Sequence, residues 1–384
     1  MASTVLLTGA TGIVGQRLTR SLLDAGHHVV MLVRDSFNET AQTRADRLVL
    51  NTLPPDERTR VDVVAGDMRT PGCNVSGYDR DRLRGTVDTV WHCAADTRFD
   101  LRLQAEIELA NVAGTKHLLA LAAALGAERF AYISTAFVFG DYEGPAIEVP
   151  HPDVARSFSN IYEKSKHAAE KLVTHSPLDW VIFRPPVVVG DARTGEVSGF
   201  TGYYGFLREL FRLRQSLTSH PDPAALRRLG ADFDGTTLRM DLAVPALPEA
   251  PFTASSVDFV CEAMVALAAL PAAWGRVFHL VPEASRSNRF WLEQSLLRLR
   301  IEGVNFVAPE HYPEYLARRG ESRSVLERRV ASSFRPYLPY VSNRNTFTPD
   351  NQRALLPNLR HARVDEALVG RLLDYAVSAN FGLD

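Results

Sequence analysis

Val5-Leu6-Leu7-Thr8-Gly9-Ala10-Thr11-Gly12-Ile13-Val14-Gly15 stands near the start of a 384-residue chain. An apolar run feeds a glycine turn, and a segment of helical period comes after it. That succession brings backbone N–H groups and the positive end of a helix dipole up to a pyrophosphate. The spacing is T-G-x-x-G-x-x-G, one residue longer in the middle than the G-x-G-x-x-G dinucleotide fingerprint. By itself such a turn serves equally as an ordinary tight turn, so its meaning rests on the rest of the chain.

Downstream of the turn the chain alternates regularly. Short apolar, β-branched runs at 4 to 8, 28 to 33, 61 to 66, 87 to 92, 129 to 134 and 179 to 183 read as strands. Helical periods separate them at 13 to 25, 39 to 52, 100 to 125 and 159 to 175. The order predicts an α/β fold, a Rossmann-type doubly wound parallel sheet with its ligand crevice at the carboxyl ends of the strands. After Arg184-Pro185-Pro186 the regularity fades into a glycine-rich loop, a helix near 203 to 217 and a Pro-rich stretch from Pro221 to Pro251. The expected division is a nucleotide-binding domain over 1–195, with 253–282 returning to it through a helix and a strand at 276 to 281. A smaller, mainly helical C-terminal substrate domain is expected over 196–252 and 283–384.

Composition narrows the class. The chain is 46% hydrophobic and 23% charged, enough for a large core, and its net charge of −2 gives no support to nucleic-acid or bulk membrane binding. Cys73, Cys93 and Cys261 show no metal-like spacing and suit a reducing compartment. With no basic leader or long apolar segment, a cytoplasmic protein without a transmembrane segment is expected. No metal motif is present in the letters.

Arg34 follows the second strand, where an acidic residue would bind the ribose of NAD. A guanidinium there suits a 2′-phosphate and favours NADP, while neighbouring Asp35 keeps NAD open. Asp67 and Met68 close the third strand and are placed to meet an adenine, although a plain strand-ending turn reads the same way. Ala94 and Ala95, after His92, leave room for a cofactor to lie close to the strand end; His92 itself reads better as a structural histidine than as an acid or base. Asn111, inside the helical segment 100 to 125, reads as a tie between backbones. Tyr162 and Lys166 share a helix face, and an ammonium near a phenol lowers the phenol's pKa. Of Ser134 and Thr135, adjacent at a strand end, only one can face the site.

Thr8 to Gly15, the block His92-Cys93-Ala94-Ala95-Asp96-Thr97-Arg98-Phe99-Asp100, Asn111 to Thr115, Tyr132 to Val138, Tyr162 to Lys166 and Phe183 to Gly195 together resemble the extended short-chain dehydrogenase/reductases. More narrowly, they are similar to fatty acyl-CoA reductases of the male-sterility type and to thioester reductase domains that end peptide and polyketide assembly lines. The resemblance spans about residues 3 to 200. It implies a Thr135, Tyr162 and Lys166 catalytic set, with Lys166 also on the nicotinamide ribose. It also seats a nicotinamide against the segment beginning at Pro185, which joins Gly9, Thr11, Gly12, Ile13, Gly15, Arg34, Asp67, Met68, Ala94 and Ala95, read above from the letters, in one expected cofactor site. The implied activity is NADPH-dependent reduction of an acyl thioester, on CoA or on an acyl or peptidyl carrier protein, to an aldehyde or onward to an alcohol. A sugar-nucleotide oxidoreductase or epimerase and a non-catalytic NADP-binding scaffold are the alternatives. Arginine-bearing segments 208 to 228 and 318 to 335 suit either carrier docking or a solvated face. Phe200, Tyr203, Tyr204, Phe206 and Phe211 suit either an acyl tunnel or a buried core.

Overall fold

In a computed structural model, which describes residues 3–154, 157–319 and 325–383, the chain forms two compact units. The first comprises Met1–Pro186, Val257–Val281 and Phe347–His361. Seven parallel strands run through it: β1 (Thr4–Thr8), β2 (His28–Val33), β3 (Val61–Ala65), β4 (Thr89–His92), β5 (Arg129–Ile133), β6 (Asp179–Arg184) and β7 (Arg276–His279). Their order is β7-β6-β5-β4-β1-β2-β3. The order reverses between β1 and β4, which pair in register Thr8↔His92, so the carboxyl ends of these two strands flank the crevice of a doubly wound sheet. Leu6, Val30, Val90, Phe130, Ile182 and Val277 form one buried cluster across the sheet. Such strands are buried on both faces and read as continuous apolar runs.

Helices α1 (Ile13–Asp24), α2 (Ala41–Leu48), α3 (Gly77–Leu83), α4 (Gly114–Leu125), α5 (Ile161–Thr174) and α6 (Val257–Ala268) lie between the strands in sequence. Helix α5 begins in a reciprocal cap. Asn160 accepts from the Glu163 N–H at 2.9 Å, while the Glu163 carboxylate accepts from Ser159 N at 3.1 Å and Asn160 Nδ2 at 3.0 Å. The expected helix over 100 to 125 is broken into a 3₁₀ turn, a short α segment (Gln104–Glu108), a π turn (Leu109–Ala113) and α4. The π turn inserts a residue at Asn111 and redirects that side chain toward the loop after β4.

The second unit comprises Val187–Ser256, Pro282–Thr346 and Ala362–Asp384. It is mainly helical, as expected, and also carries a three-stranded sheet, with Leu238–Pro245 antiparallel to Ala231–Phe233 and parallel to Ile301–Val307. Leu238, Met240 and Leu242 are buried while Arg239 and Asp241 are exposed. This alternation was obscured by the surrounding prolines and by a bulge between Arg239 and Leu242. Tyr204, Phe206 and Phe211 are buried and pack with Phe200, Tyr203, Trp291, Phe334 and Phe381. These rings make the core of the unit.

The division also departs from the expected one at two places. Val187–Val189 lies outside the large sheet and pairs with Ala254–Ser256, which assigns both 187–195 and 253–256 to the second unit. Residues 347–361 join the first unit, because the Glu148 carboxylate accepts from both His279 N and Asn351 N at 2.6 Å, and Asn351 Nδ2 donates to Val277 O at 2.9 Å. No helix among the described residues is long and apolar enough to cross a membrane.

Candidate active site

The glycine turn makes a cradle. Gly9 takes φ +74°, and Gly12 N donates to Gly9 O at 3.0 Å, closing the turn ahead of α1. Gly12 caps α1 without a side-chain hydrogen bond, and no acidic residue sits in the first turn. The helix therefore presents its N–H groups and its positive dipole end outward beside Thr11 and Ile13, both half-buried, which is the electrostatics an anion requires. A Cβ on Gly9 would stand 2.6 Å from Ala94 N, so the turn rests directly on the β4 end. Half-buried Ala94 and Ala95 continue that floor.

Beneath it, His92 is fully buried and its proton can be assigned. Thr115 Oγ1 donates to Asn111 O at 2.6 Å, so it accepts from His92 Nε2–H at 2.9 Å. His92 Nδ1 then accepts from Thr8 Oγ1 at 2.9 Å, and Thr8 Oγ1 accepts from Ala94 N at 3.2 Å. Burial, together with the Lys166 charge, holds the imidazole pKa well below its ordinary value. His92 is a neutral strut that ties β1, β4 and α4 together.

On the β2 side, Arg34 is exposed. Asp35 is committed to the approach to α2, accepting from Ala41 N at 2.6 Å. Asp67, expected to meet an adenine amino group, has its carboxylate clasped by Arg69, with Nη2 to Oδ2 at 2.6 Å and Nε to Oδ1 at 3.0 Å. This pair holds the Asp67 carboxylate below its usual range against the opposing effect of burial. The side chain is thus engaged locally rather than directed at a ligand. Met68 packs on the sheet core and approaches Gly114, where a Cβ would lie 3.1 Å from Met68 Cγ.

Tyr162, Lys166 and Thr135 converge at the β5 end. The Thr135 hydroxyl lies beside the Tyr162 phenol and accepts from Phe137 N at 3.3 Å. Ser134 turns the other way and donates to Glu170 Oε1 at 2.6 Å. Lys166 Nζ, buried, donates to Ile133 O at 2.6 Å and lies 4.4 Å from the centroid of the Tyr132 ring. Burial lowers Lys166 to about 8. The expected lowering of the Tyr162 pKa by Lys166 is not what this geometry gives. Burial pushes the phenol above its ordinary value, Cys93 and Glu163 add to the rise, and Thr135 only partly opposes it, while Lys166 Nζ is directed to Ile133 O. Phe99 packs beside Tyr162, ring centroids 6.2 Å apart. Pro185, buried, accepts from Ala136 N at 2.9 Å, which joins the β6 end to the segment after Thr135.

Asn111 is the backbone tie its place in the sequence suggested, and a buried ion pair, Glu170 with Arg184, was not evident from the letters. Asn111 donates from Nδ2 to Asp96 O and to Ser165 Oγ, both at 2.9 Å, and its Oδ1 accepts from Asp96 N at 2.7 Å. Ser165 in turn donates to Tyr162 O at 2.8 Å, so the π turn stitches the loop after β4 to α5. Glu170 and Arg184 form an ion pair at 2.6 Å with both side chains wholly buried. The available signal was Glu170 at four residues from Lys166, a charge on the inward face of an amphipathic helix. In the second unit, Arg212–Glu209, Arg318–Glu314 and Arg319–Asp241 are ion pairs on a solvated surface, while Glu321 lies outside the described residues.

A doubly wound parallel sheet, an uncapped glycine turn at its switch point and a helix bearing Tyr162 and Lys166 beside Thr135 define an extended short-chain dehydrogenase/reductase. The sequence profile of an NAD-binding family described as "Male sterility protein" matches residues 7–264, more than half of the chain, and the protein belongs to that family. Among curated proteins, it is 33% identical over 200 residues to a linear gramicidin synthase of Brevibacillus parabrevis, covering 50% of this chain and 4% of that protein. It is 26% identical over 237 residues to fatty acyl-CoA reductase wat of Drosophila melanogaster, covering 52% of this chain and 46% of that one. The chain thus spans less than half the length of these relatives. Among solved structures, the terminal R domain of the myxalamid PKS-NRPS pathway superposes with a TM-score of 0.75 at 22% identity, covering 99% of this chain and 92% of the other.

Proposed function

We propose that the protein is an NADPH-dependent reductase of acyl thioesters, carried on CoA or on an acyl or peptidyl carrier protein. The observation that carries the reading is the meeting of Thr135 and Tyr162 hydroxyls at the end of β5, with Lys166 buried one helical turn behind the tyrosine. The family and its relatives, an acyl-CoA reductase and a gramicidin synthase, support the thioester as substrate class.

The cradle fits a dinucleotide. Gly9, Thr11, Gly12, Ile13 and Gly15 would hold the pyrophosphate at the α1 N-terminus, Ala94 and Ala95 the middle of the cofactor, and Pro185 and Lys166 the nicotinamide half. Exposed Arg34, with Asp35 already occupied by Ala41 N, favours a ribose 2′-phosphate and hence NADP. The Asp67 carboxylate is engaged by Arg69, so in this role Asp67 and Met68 contribute shape at the adenine rather than an acceptor.

When bound, the reduced nicotinamide supplies a hydride to the thioester carbonyl carbon. The chain's own residues act on the oxygen. Thr135 and Tyr162 donate hydrogen bonds to the developing oxyanion, and Tyr162 passes it its proton, giving a hemithioacetal. A phenol held protonated by burial is in the state a general acid needs. Lys166, close to neutrality in its pKa, assists return of a proton to the tyrosine. The hemithioacetal then loses its hydroxyl proton to the departing sulfur, releasing thiol and aldehyde; a second round on the aldehyde gives an alcohol. The second unit is the substrate-binding part in this reading.

The test is NADPH and NADH oxidation by wild type and Tyr162→Phe with an acyl-CoA series, acyl-pantetheine thioesters and free aldehydes. Thioester-dependent NADPH loss that disappears in the variant supports the reading, and its stoichiometry separates aldehyde from alcohol as product. Turnover of a sugar nucleotide or simple alcohol with inertness toward every thioester overturns it.

A further inference from the structure

Behind the site lies a buried knot of charge. Glu170 accepts from four donors: Ser134 Oγ at 2.6 Å, Arg184 Nε at 2.9 Å, Arg184 Nη2 at 2.6 Å and His151 N at 3.1 Å. Arg184 also donates to Val149 O at 2.8 Å and Ile147 O at 3.4 Å, and its guanidinium lies 5.4 Å from the centre of the Phe139 ring. Both partners are wholly shielded from water. Replacing such a pair with apolar side chains is often neutral or stabilising, so stability is a poor reason for its presence.

Its placement suggests another reason. Ser134 immediately precedes Thr135, Arg184 immediately precedes Pro185, and Glu170 sits one helical turn beyond Lys166 on the same face of α5. The knot therefore grips the chain next to each of these three residues, at the ends of β5 and β6 and on α5, and ties segment 147–151 to the same point. A fork-shaped guanidinium fixes both distance and angle to a carboxylate, which a greasy contact does not.

We infer that Glu170, Arg184 and Ser134 are positioning residues of the reductase, holding Thr135, Lys166 and Pro185 in mutual register for hydride and proton transfer. The inference rests on the reading of Thr135, Tyr162 and Lys166 as the catalytic set. Glu170 has a second influence, because its charge supports the protonated form of buried Lys166.

The experiment compares wild type, Ser134→Ala, Arg184→Lys and the paired change Glu170→Leu with Arg184→Met, each checked for folding by thermal melting and for NADPH binding by fluorescence. Ser134→Ala and the paired change are expected to fold and bind NADPH, yet to lose about 10- to 100-fold in kcat, the scale of a misplacement near 1 Å. The pH profile of the paired variant should move its lysine-dependent limb to lower pH. Arg184→Lys, which keeps the charge without the fork, should recover only part of the rate. Wild-type kcat and an unshifted limb in folded variants overturn the inference, as does a rate loss that only follows the unfolded fraction. If the paired variant fails to fold, Ser134→Ala decides. Turnover of aldehydes but not thioesters by wild type overturns the proposed substrate class and leaves the kcat ratios readable on the aldehyde. No NADPH oxidation with any carbonyl compound overturns both.

Discussion

Gly15 stands so close to Gly9 that a Cβ on Gly15 would fall inside the Gly9 carbonyl oxygen. The third glycine of the turn is therefore required by the first, through backbone that has no slack. Gly15→Ala should lower stability by about 1–3 kcal/mol, as overpacking does, and lose NADPH affinity with it. Gly12 differs: its φ is −88°, and a Cβ there would meet only Gly9 O, at 3.4 Å. Gly12→Ser should melt at or slightly above the wild-type temperature, since serine is a good N-cap, yet bind NADPH more weakly because its hydroxyl occupies the N–H groups offered to phosphate. Melting curves with and without NADPH measure both effects.

Tyr162→Phe and Thr135→Val remove the two hydroxyls that meet at the β5 end. The first should reduce kcat by about 10²- to 10⁴-fold with NADPH affinity retained. The second should also act on kcat, whereas His92→Gln should act on stability alone, since His92 is a neutral strut among Thr8 and Thr115. Stopped-flow single turnovers alongside melting curves separate the two kinds of loss. Equal rate losses with full stability in His92→Gln would add that histidine to the catalytic set.

Arg34→Ala tests cofactor choice. A charge-assisted contact to a 2′-phosphate is worth about 1.5–3 kcal/mol, so preference for NADPH over NADH should fall about 10- to 100-fold through KM for NADPH. An unchanged preference would leave Arg34 as a solvent-exposed arginine.

Glu148 should make stability depend on pH. Burial raises its folded pKa to about 7 from 4.5, with Asp350 adding and Arg184 and the two backbone donors opposing. Between these values the folded state binds more protons than the unfolded chain, so this group's contribution is full below pH 4.5 and lost as pH rises through 7. Glu148→Gln should flatten that slope in urea titrations between about pH 5 and 7.5. Lys166 has the opposite sign: its folded pKa is depressed to about 8, so its penalty is relieved as pH rises from there toward 10.5.

The parallel sheet was legible because strands buried on both faces must be continuous apolar runs; β1 and β2 fall where those runs do. The Tyr162 and Lys166 pair was legible from helical period, and N-cap Asn160 fixes where that helix starts. Which of Ser134 and Thr135 faces the tyrosine was not legible, because alternation gives opposite sides without naming them; Glu170, thirty-six residues away, decides it. The strand at Leu238–Pro245 was hidden by a bulge, and the π turn at Asn111 looks like uninterrupted helix in letters. The Asp67 and Arg69 clasp is a two-residue local pairing that competes with any ligand role and leaves no periodic trace.

The nucleotide-binding unit is assembled from three separated stretches of chain, and β7, its edge strand, pairs with β6 across more than ninety intervening residues. That order has a consequence for synthesis on the ribosome. When residue 186 emerges, β6 is an unprotected edge of a parallel sheet, with open N–H and C=O groups on its outer side. The protector arrives only after the whole of the second unit's first stretch and α6 have been made, and Asn351, which fastens β7 through Val277 O, arrives later still. Folding of this unit is therefore bound to slow, long-range closure, and a polypeptide released before residue 280 exposes an open strand edge on which a neighbouring chain can pair.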